Sequence, residues 1–411
     1  MKFFVMRLSL LVFLLIGAGE ASAFTACNTQ IIDANASRLP NEGLDPVVVG
    51  TNVYAAYARG SQLIVEVSHD AGNTYSAVRI DDALGVTSLP RIAAYKDYVY
   101  ISWTETKSAN KSIYFTHSED DGRTFTKARK LDAGFGPQIS ASALKVVVGF
   151  IGSAGSPELF VSADGGRSFA APVTLSGPAG HQQELALASR ANNVYAVWED
   201  STAANESLAL MAYSHDGGVT FSAAKSLSPS QTYAVEPLIA ISGDGTVSIV
   251  WRTSKDPTAK NRLSYIRSTD LAQSFSKTVI LDDNVRHGSV VADGANLYVS
   301  YLKQIGNDWE TQFRASHDKG QTFSAPVNLS GFSGINQSPD TDDFLPAMWA
   351  GNGALTLAWT SASSAYVQSS GDGGTSFSPP TYLGPGNSVL PGGPFVLWLD
   401  SQSRPNLANC R

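Results

Sequence analysis

The stretch Ser68-His69-Asp70-Ala71-Gly72-Asn73-Thr74-Tyr75 decides the fold, because it recurs along the chain. It returns as Ser118-Glu119-Asp120-Asp121-Gly122-Arg123-Thr124-Phe125 and in five further copies. The copies occupy residues 68–75, 118–125, 162–169, 214–221, 268–275, 316–323 and 370–377. Their aspartates are 44 to 54 residues apart. A period of this length indicates a repeated supersecondary unit.

An aromatic residue stands 13 to 19 residues before each of these aspartates, at the end of a β-rich run. The seven are Tyr57, Trp103, Phe150, Trp198, Trp251, Tyr301 and Trp359. Each unit reads as four strands, with the Asp motif as the turn between the third and the fourth. The pattern predicts an all-β fold, a seven-bladed β-propeller of four-stranded antiparallel blades, with the aromatic rings in the core between blades.

The repeated aspartates are expected to hold their own turns. They are Asp70, Asp120, Asp164, Asp216, Asp270, Asp318 and Asp372. An Asp carboxylate accepts hydrogen bonds from backbone N–H groups within a turn, and glycine supplies a positive φ. The alternative is a calcium loop at Asp120-Asp121-Gly122, but the alternating oxygen ligands and the closing Glu are missing. The six histidines show no metal spacing, so neither a metal nor another cofactor is predicted.

The first 23 residues read as a signal peptide. Lys2 and Arg7 precede an apolar run at 8–16, and Ala21-Ser22-Ala23 is a small-x-small cleavage signal. Residues 24–411 then form a single propeller domain, and no later stretch is long and apolar enough to insert into a membrane. We therefore expect a secreted or periplasmic protein.

The two cysteines, Cys27 and Cys410, lie near the two ends of this domain. An oxidising compartment permits a disulfide between them, and the ends of a closed ring must meet. The alternative is a lipid anchor on Cys27, because Phe24-Thr25-Ala26-Cys27 loosely matches a bacterial lipoprotein box. The segments 28–33 and 395–399 resemble strands, so the two ends form either a clasp or a partial eighth blade.

Charge excludes one class of partner. The chain has 29 basic and 36 acidic residues, for a net charge of −7. The basic residues are scattered, so nucleic acid is not expected as a partner. The sequence carries no signal for the oligomeric state.

The repeated turns resemble the BNR or Asp-box repeats of the sialidase superfamily, over about residues 44–383. The resemblance implies a propeller fold. Sialidases of this group are six-bladed and use an Arg-Ile-Pro motif, an arginine triad, a Tyr/Glu pair and an Asp acid/base. Here the nearest motifs are Arg38-Leu39-Pro40, before the first unit, and Pro90-Arg91-Ile92, in reversed order. The resemblance therefore assigns no catalytic residue.

Candidate site residues follow from the blade pattern, since propellers bind ligands around the central channel on the face opposite the Asp turns. Variable polar residues before first strands and after second strands lie on that face. The catalytic candidates are Arg91, Glu184, Glu236 and Arg252. The binding candidates are Arg59, Glu105, Glu199, Asp200, Arg286, His287 and Lys303.

Three functions fit this sequence. The first is a propeller that binds a glycan or a protein through its channel face. The second is a diverged sialidase-like glycoside hydrolase, in which two carboxylates face each other across a bond. The third is a structural module of the cell surface. The missing Arg-Ile-Pro motif favours the first over the second.

Overall fold

A computed structural model describes residues 27–33, 44–59, 61–80, 85–175, 181–201, 206–230, 232–255, 260–330, 346–361 and 363–410. Every regular element in these ranges is a β-strand, which confirms the all-β prediction. No helix in the described ranges is long and apolar enough to cross a membrane. The predicted signal peptide, residues 1–23, lies outside the described residues, as do Phe24, Thr25 and Ala26 of the lipoprotein-like box.

Within the described ranges, thirty strands follow one another along the chain. The first fifteen are β1 (Cys27–Ile31), β2 (Leu44–Val49), β3 (Asn52–Arg59), β4 (Gln62–Ser68), β5 (Ser76–Ile80), β6 (Val86–Tyr95), β7 (Tyr98–Lys107), β8 (Asn110–Ser118), β9 (Arg129–Ser142), β10 (Lys145–Gly152), β11 (Pro157–Ser162), β12 (Val173–Thr174), β13 (His181–Arg190), β14 (Asn193–Ser201) and β15 (Ser207–Ser214). The others are β16 (Lys225–Ser226), β17 (Tyr233–Ile241), β18 (Val247–Ser254), β19 (Arg262–Ser268), β20 (Val279–Asp283), β21 (Val285–Asp293), β22 (Asn296–Ile305), β23 (Asp308–Ser316), β24 (Val327–Asn328), β25 (Ala347–Gly351), β26 (Ala354–Ser361), β27 (Ser364–Ser370), β28 (Thr381–Gly392), β29 (Phe395–Asp400) and β30 (Pro405–Cys410).

The strands pair antiparallel in groups of four that follow the sequence repeat. The simplest group is β2-β3-β4-β5, with the turn of Asp70 between its third and fourth strands. Strand β9 ends one group and begins the next, because Ala133 pairs with β8 and Gly134 pairs with β10. Strand β28 changes partner in the same way between Pro385 and Gly386. The repeat motifs thus fall where the sequence places them, between third and fourth strands.

The two chain ends build a further four-stranded group from the second part of β28, β29, β30 and β1. Cys27 pairs with Cys410 in this ladder, and the two form a disulfide. In the other groups the Asp turn joins the third strand to the fourth, whereas here the disulfide joins them. A count of Asp turns therefore understates the number of four-stranded groups, which is eight among the described strands.

Each Asp turn is held by the same set of hydrogen bonds. In the first copy, the Ser68 hydroxyl donates to Asp70 Oδ1 at 2.8 Å and accepts from the Gly72 N–H at 2.9 Å. Asp70 Oδ1 accepts from the Thr74 N–H at 2.9 Å, and Oδ2 accepts from the Thr74 hydroxyl at 2.7 Å. Equivalent bonds from Ser168 lower the pKa of Asp164 to about 2. The carboxylates are thus engaged within their own turns.

In six of the seven turns a glycine packs on an aromatic or apolar side chain of the preceding group, and the turn at 268–275 has Ala272 at this position. A Cβ at Gly122 would lie 2.9 Å from the Tyr54 ring, and a Cβ at Gly374 would lie 2.6 Å from the Phe313 ring. The first turn continues the pattern, since a Cβ at Gly72 would lie 2.3 Å from the Phe395 ring of the group built from the chain ends. The first and last groups therefore pack against each other in the same way as groups that are adjacent in the sequence.

The first strands of the groups contact one another in cyclic order. The order is β2, β6, β9, β13, β17, β21, β25 and β28, and β28 contacts β2 again. The aromatic residues predicted for the core are at most 2% exposed, and Trp103 packs with Tyr54 and Leu63 of the preceding group. This confirms that they fill the space between groups. The first strands therefore surround a common axis, as in a β-propeller.

Removing the disulfide tests how much the covalent closure contributes. The double variant C27S/C410S should have a free energy of unfolding about 2–4 kcal/mol lower, because the denatured chain gains the freedom that the link removes. Urea unfolding followed by tryptophan fluorescence measures this difference. An unchanged free energy of unfolding, or two free thiols in the mass spectrum of the unreduced protein, would contradict the closure described here.

Candidate functional site

Several first strands carry a β-bulge near their beginning. In β6, β13, β17 and β21 the bulge places one non-glycine residue in the left-handed region: Leu89, Glu184, Glu236 and His287, with φ between 40° and 54°. A bulge removes one residue from the ladder and redirects its side chain. Three consecutive groups thus place an ionisable side chain at the same backbone position, on the face opposite the Asp turns.

These side chains line a cavity of about 350 Å³, the mouth cavity, at one end of the central axis. Its lining includes Arg91, Gln138, Glu184, Glu236, His287 and Gly288. The residues come from the first strands of five successive groups, β6, β9, β13, β17 and β21. The cavity therefore exists only because those strands meet around one axis.

Glu236 is the most strongly bonded carboxylate of the mouth cavity. Arg252 on β18 donates to it from Nε at 2.7 Å and also from Nη2. His287 Nδ1 lies 3.4 Å from Glu236 Oε1, and all three side chains are less than 20% exposed. Burial alone would raise the pKa of Glu236, but the hydrogen bond from His287 and the charge of Arg252 outweigh it and lower the pKa to about 2. Glu236 is ionised at neutral pH.

Glu184 behaves in the opposite way. It faces the cavity and remains accessible to solvent, yet the surrounding walls displace bulk water. This desolvation, with the negative charges of Glu236 and Glu199, raises the pKa of Glu184 to about 8. Its carboxyl group also accepts a hydrogen bond from the Glu236 backbone N–H. At pH 7 the cavity holds one protonated and one ionised carboxyl group, a division typical of acid and base pairs.

Arg91 supplies a positive charge on the opposite side of the mouth cavity. Its guanidinium donates to the backbone carbonyl of Pro90 at 3.0 Å, and within the described part of the chain it forms no ion pair. The nearby Asp45 carboxylate instead accepts from the Ile92 N–H at 2.8 Å. Burial raises the pKa of Asp45 to about 6 against the opposing effect of Arg91. The Arg91 guanidinium is available to an anionic ligand.

The structure thus brings four catalytic candidates and His287 together, and it places the other binding candidates elsewhere. Glu199 is buried on β14 and accepts from the Ser201 and Ser207 hydroxyls at 2.7 and 2.8 Å. Asp200, next to it, is fully buried. Neither side chain lines the mouth cavity. Their distance from the surface follows from their position inside the central strand of a group.

Arg59 and Lys303 are occupied by equivalent contacts in two different groups. Arg59 lies 3.2 Å from Asp33, which also accepts from the Tyr57 hydroxyl. Lys303 pairs with Asp282, which accepts from the Tyr301 hydroxyl at 2.7 Å. In each case a fourth-strand aspartate reaches the second strand of the next group. Asp33 follows β1, so the chain ends reproduce an ordinary junction between groups.

The remaining candidates are Arg286 and Glu105, and neither lines the mouth cavity. The Arg286 guanidinium lies 5.1 Å from the centre of the Trp309 ring. Glu105 is buried and lines a separate cavity of about 320 Å³ with Lys107 and Lys130. Sequence reasoning missed Gln138, which lines the mouth cavity after Gly136-Pro137. The signal was present, because Leu89-Pro90 and Glu236-Pro237 mark bulges at the same point of their units.

No metal centre accompanies these residues. In the described ranges, no group of three or more His, Cys, Asp and Glu side chains is arranged to hold a metal ion.

Comparison with known proteins identifies the fold only. No family model and no curated protein sequence match the chain. A solved polysaccharide lyase, PL25 ulvan lyase bound to -[GlcA(1-4)Rha3S]-, is 12% identical over 80% of this chain and 93% of that chain, with a TM-score of 0.53. Another PL25 ulvan lyase structure is 10% identical over 93% and 98%, with a TM-score of 0.52. At such identities the likeness supports the β-propeller fold.

The raised pKa of Glu184 predicts a pH effect on stability. Between about pH 4.5 and pH 8 the folded protein keeps the Glu184 proton that the unfolded chain releases, so this group destabilises the fold progressively as pH rises. The variant E184Q should therefore gain stability relative to the wild type between pH 5 and pH 9. Urea unfolding of both proteins at the two pH values measures the change. A difference independent of pH would contradict the assigned pKa.

Proposed function

We propose that this chain is a secreted or periplasmic Asp-box β-propeller with eight blades, which binds a glycan at the mouth cavity. Eight blades follow from the seven groups with Asp turns and the group built from the chain ends. The repeated turns support membership of the Asp-box proteins. Export is supported by the signal-like residues 1–23 and by the Cys27–Cys410 disulfide, which needs an oxidising compartment.

One observation carries the binding function. The mouth cavity gathers Arg91, Glu184, Glu236 and His287 from four different groups, whereas Arg59, Glu199 and Lys303 are paired within the scaffold. Its volume of about 350 Å³ lies in the range of small-ligand sites, roughly 300–1,000 Å³. Carboxyl, imidazole and guanidinium groups at one place suit a ligand rich in hydroxyl groups.

An acidic sugar suits the cavity better than a neutral one. The Arg91 guanidinium carries a charge that no carboxylate of the described chain neutralises by an ion pair, and Glu184 is protonated at neutral pH. Arginine binds carboxylate and sulfate groups through two parallel hydrogen bonds. A structural neighbour is described as bound to -[GlcA(1-4)Rha3S]-, which makes a saccharide ligand on this fold a reasonable expectation.

Glycoside hydrolysis is a second candidate, favoured by the two protonation states. A protonated Glu184 is suited to donate a proton to a leaving oxygen, as a general acid does. The ionised Glu236 would face the developing positive charge on the sugar, and Arg252 and His287 would hold it in place. The strong pairing of Glu236 makes it a poor nucleophile, which is why we place binding first.

Binding at the mouth cavity is tested by one substitution and a matched control. R252M should weaken binding of an acidic glycan at least tenfold, because it removes the guanidinium that neutralises Glu236 and leaves His287 as the remaining partner of that negative charge. R404M removes a comparable arginine–carboxylate pair, Arg404–Asp400, outside the mouth cavity and should leave binding unchanged. A glycan array identifies a bound glycan, calorimetry measures its affinity for the wild type and for each variant, and circular dichroism confirms that the variants are folded. Equal losses in the two variants, or no bound glycan, would contradict the proposal.

The hydrolase alternative has its own test. E184Q should keep glycan affinity within about threefold, because an amide resembles a protonated carboxyl group in size and donor capacity. Release of a fluorogenic aglycone from a panel of acidic glycosides measures turnover. Turnover by the wild type that E184Q abolishes would establish hydrolysis, with activity falling above about pH 8. If the wild type binds an acidic glycan but shows no turnover, hydrolysis is rejected and binding remains as the proposed function.

A further inference from the structure

An exposed aromatic ring lies on β9, three residues before Gln138 of the mouth cavity. Phe135 begins the bulge of β9 and is 39% exposed, although most large apolar side chains of the protein are buried. The Lys111 ammonium lies 5.2 Å from the centre of this ring. An accessible ring beside a cation is the arrangement that holds the apolar face of a sugar together with an anionic substituent.

One glycine lies between Phe135 and the residue of β9 that lines the mouth cavity. Gly136 occupies the bulge position of β9 with φ 65°, and a Cβ built there has no atom within 4 Å. Other groups fill the same position with Leu89, Glu184, Glu236 or His287. Gln138, two residues further along β9, lines the mouth cavity. The bulge of β9 therefore leaves open the space that a side chain fills in the other groups.

The charge of this sector is positive although the chain as a whole is negative. Lys107, Lys111 and Lys130 are exposed, and none of them forms an ion pair with a described residue. The neighbouring carboxyl groups of Glu105, Asp132 and Glu158 are buried or half-buried. Among the described residues, the exposed charged groups of this sector are therefore cationic, which complements an anionic ligand.

We propose that Phe135, Lys111 and the gap at Gly136 form a second subsite, which takes the next sugar of an anionic oligosaccharide held at the mouth cavity. This proposal rests on the proposed function, and it adds the direction in which the bound oligosaccharide extends from the mouth cavity. The sugar ring stacks on Phe135, and its carboxylate or sulfate group faces Lys111. The ligand is then an extended chain, and its affinity increases with length beyond one residue.

Calorimetry with carboxylated ligands tests the subsite. The wild type should bind tetragalacturonate at least fivefold more tightly than galacturonate. F135A and K111Q should each weaken tetragalacturonate binding about fivefold and leave galacturonate binding unchanged. K225Q is a matched control, since Lys225 lies 5.1 Å from the Phe275 ring within an Asp turn. It should change neither affinity.

A third variant tests the gap at Gly136 with a substitution that is expected to leave the protein folded. G136N places a side chain in the gap, and the left-handed residues of the other bulges show that this backbone accepts one. It should reduce tetragalacturonate affinity while the melting temperature stays near that of the wild type. A sulfated tetrasaccharide and cellotetraose distinguish the anions, and cellotetraose should bind at least tenfold more weakly than the better anion.

Three results would overturn the subsite while the proposed function stands: equal affinity for galacturonate and tetragalacturonate, an equal loss in K225Q and K111Q, or equal affinity for cellotetraose. By contrast, failure of the wild type to bind any saccharide would remove the proposed function itself.

Discussion

Ring closure between β1 and β30 is the constraint on which the remaining structure depends. A four-stranded group has two apolar faces, and each must be covered by a neighbour. The groups between the ends cover one another in sequence, but the first and last groups are covered only if they meet. Two contacts bring the first and last groups together. Strand β1 pairs with β30, from Cys27 with Cys410 to Ile31 with Asn406, and Gly72 of the first Asp turn packs on Phe395. Every first strand then faces the same axis.

The mouth cavity shows how a repetitive scaffold makes an asymmetric site. The backbone repeats, since each bulge directs one residue towards the axis. The side chains at that position do not repeat: leucine, glycine, glutamate, glutamate and histidine follow one another around the mouth. The two glutamates have opposite pKa shifts because Glu236 accepts hydrogen bonds from His287 and Arg252, whereas Glu184 is desolvated beside the negative charges of Glu236 and Glu199. The repeated backbone therefore sets where the side chains of the mouth cavity lie, and the differences in sequence between groups set their charge and pKa.

The sequence predicted what is local and periodic. The Asp turns, the buried aromatic rings and the four-strand grouping all follow from spacing within one unit, and the order of strands alone places Arg91, Glu184, Glu236 and Arg252 on one face as candidates. The completed group at the chain ends has no Asp turn, so periodicity did not reveal its extent. The burial of the binding candidate Glu199, with its hydrogen bonds from Ser201 and Ser207, depends on packing at a strand end that periodicity does not describe.

A crystal structure of the protein grown with tetragalacturonate would show whether the mouth cavity is the ligand site. We expect one sugar between Arg91 and Glu236 and a second against Phe135. Electron density for the saccharide at another place on the protein, with an empty mouth cavity at a ligand concentration that saturates binding in solution, would contradict this expectation.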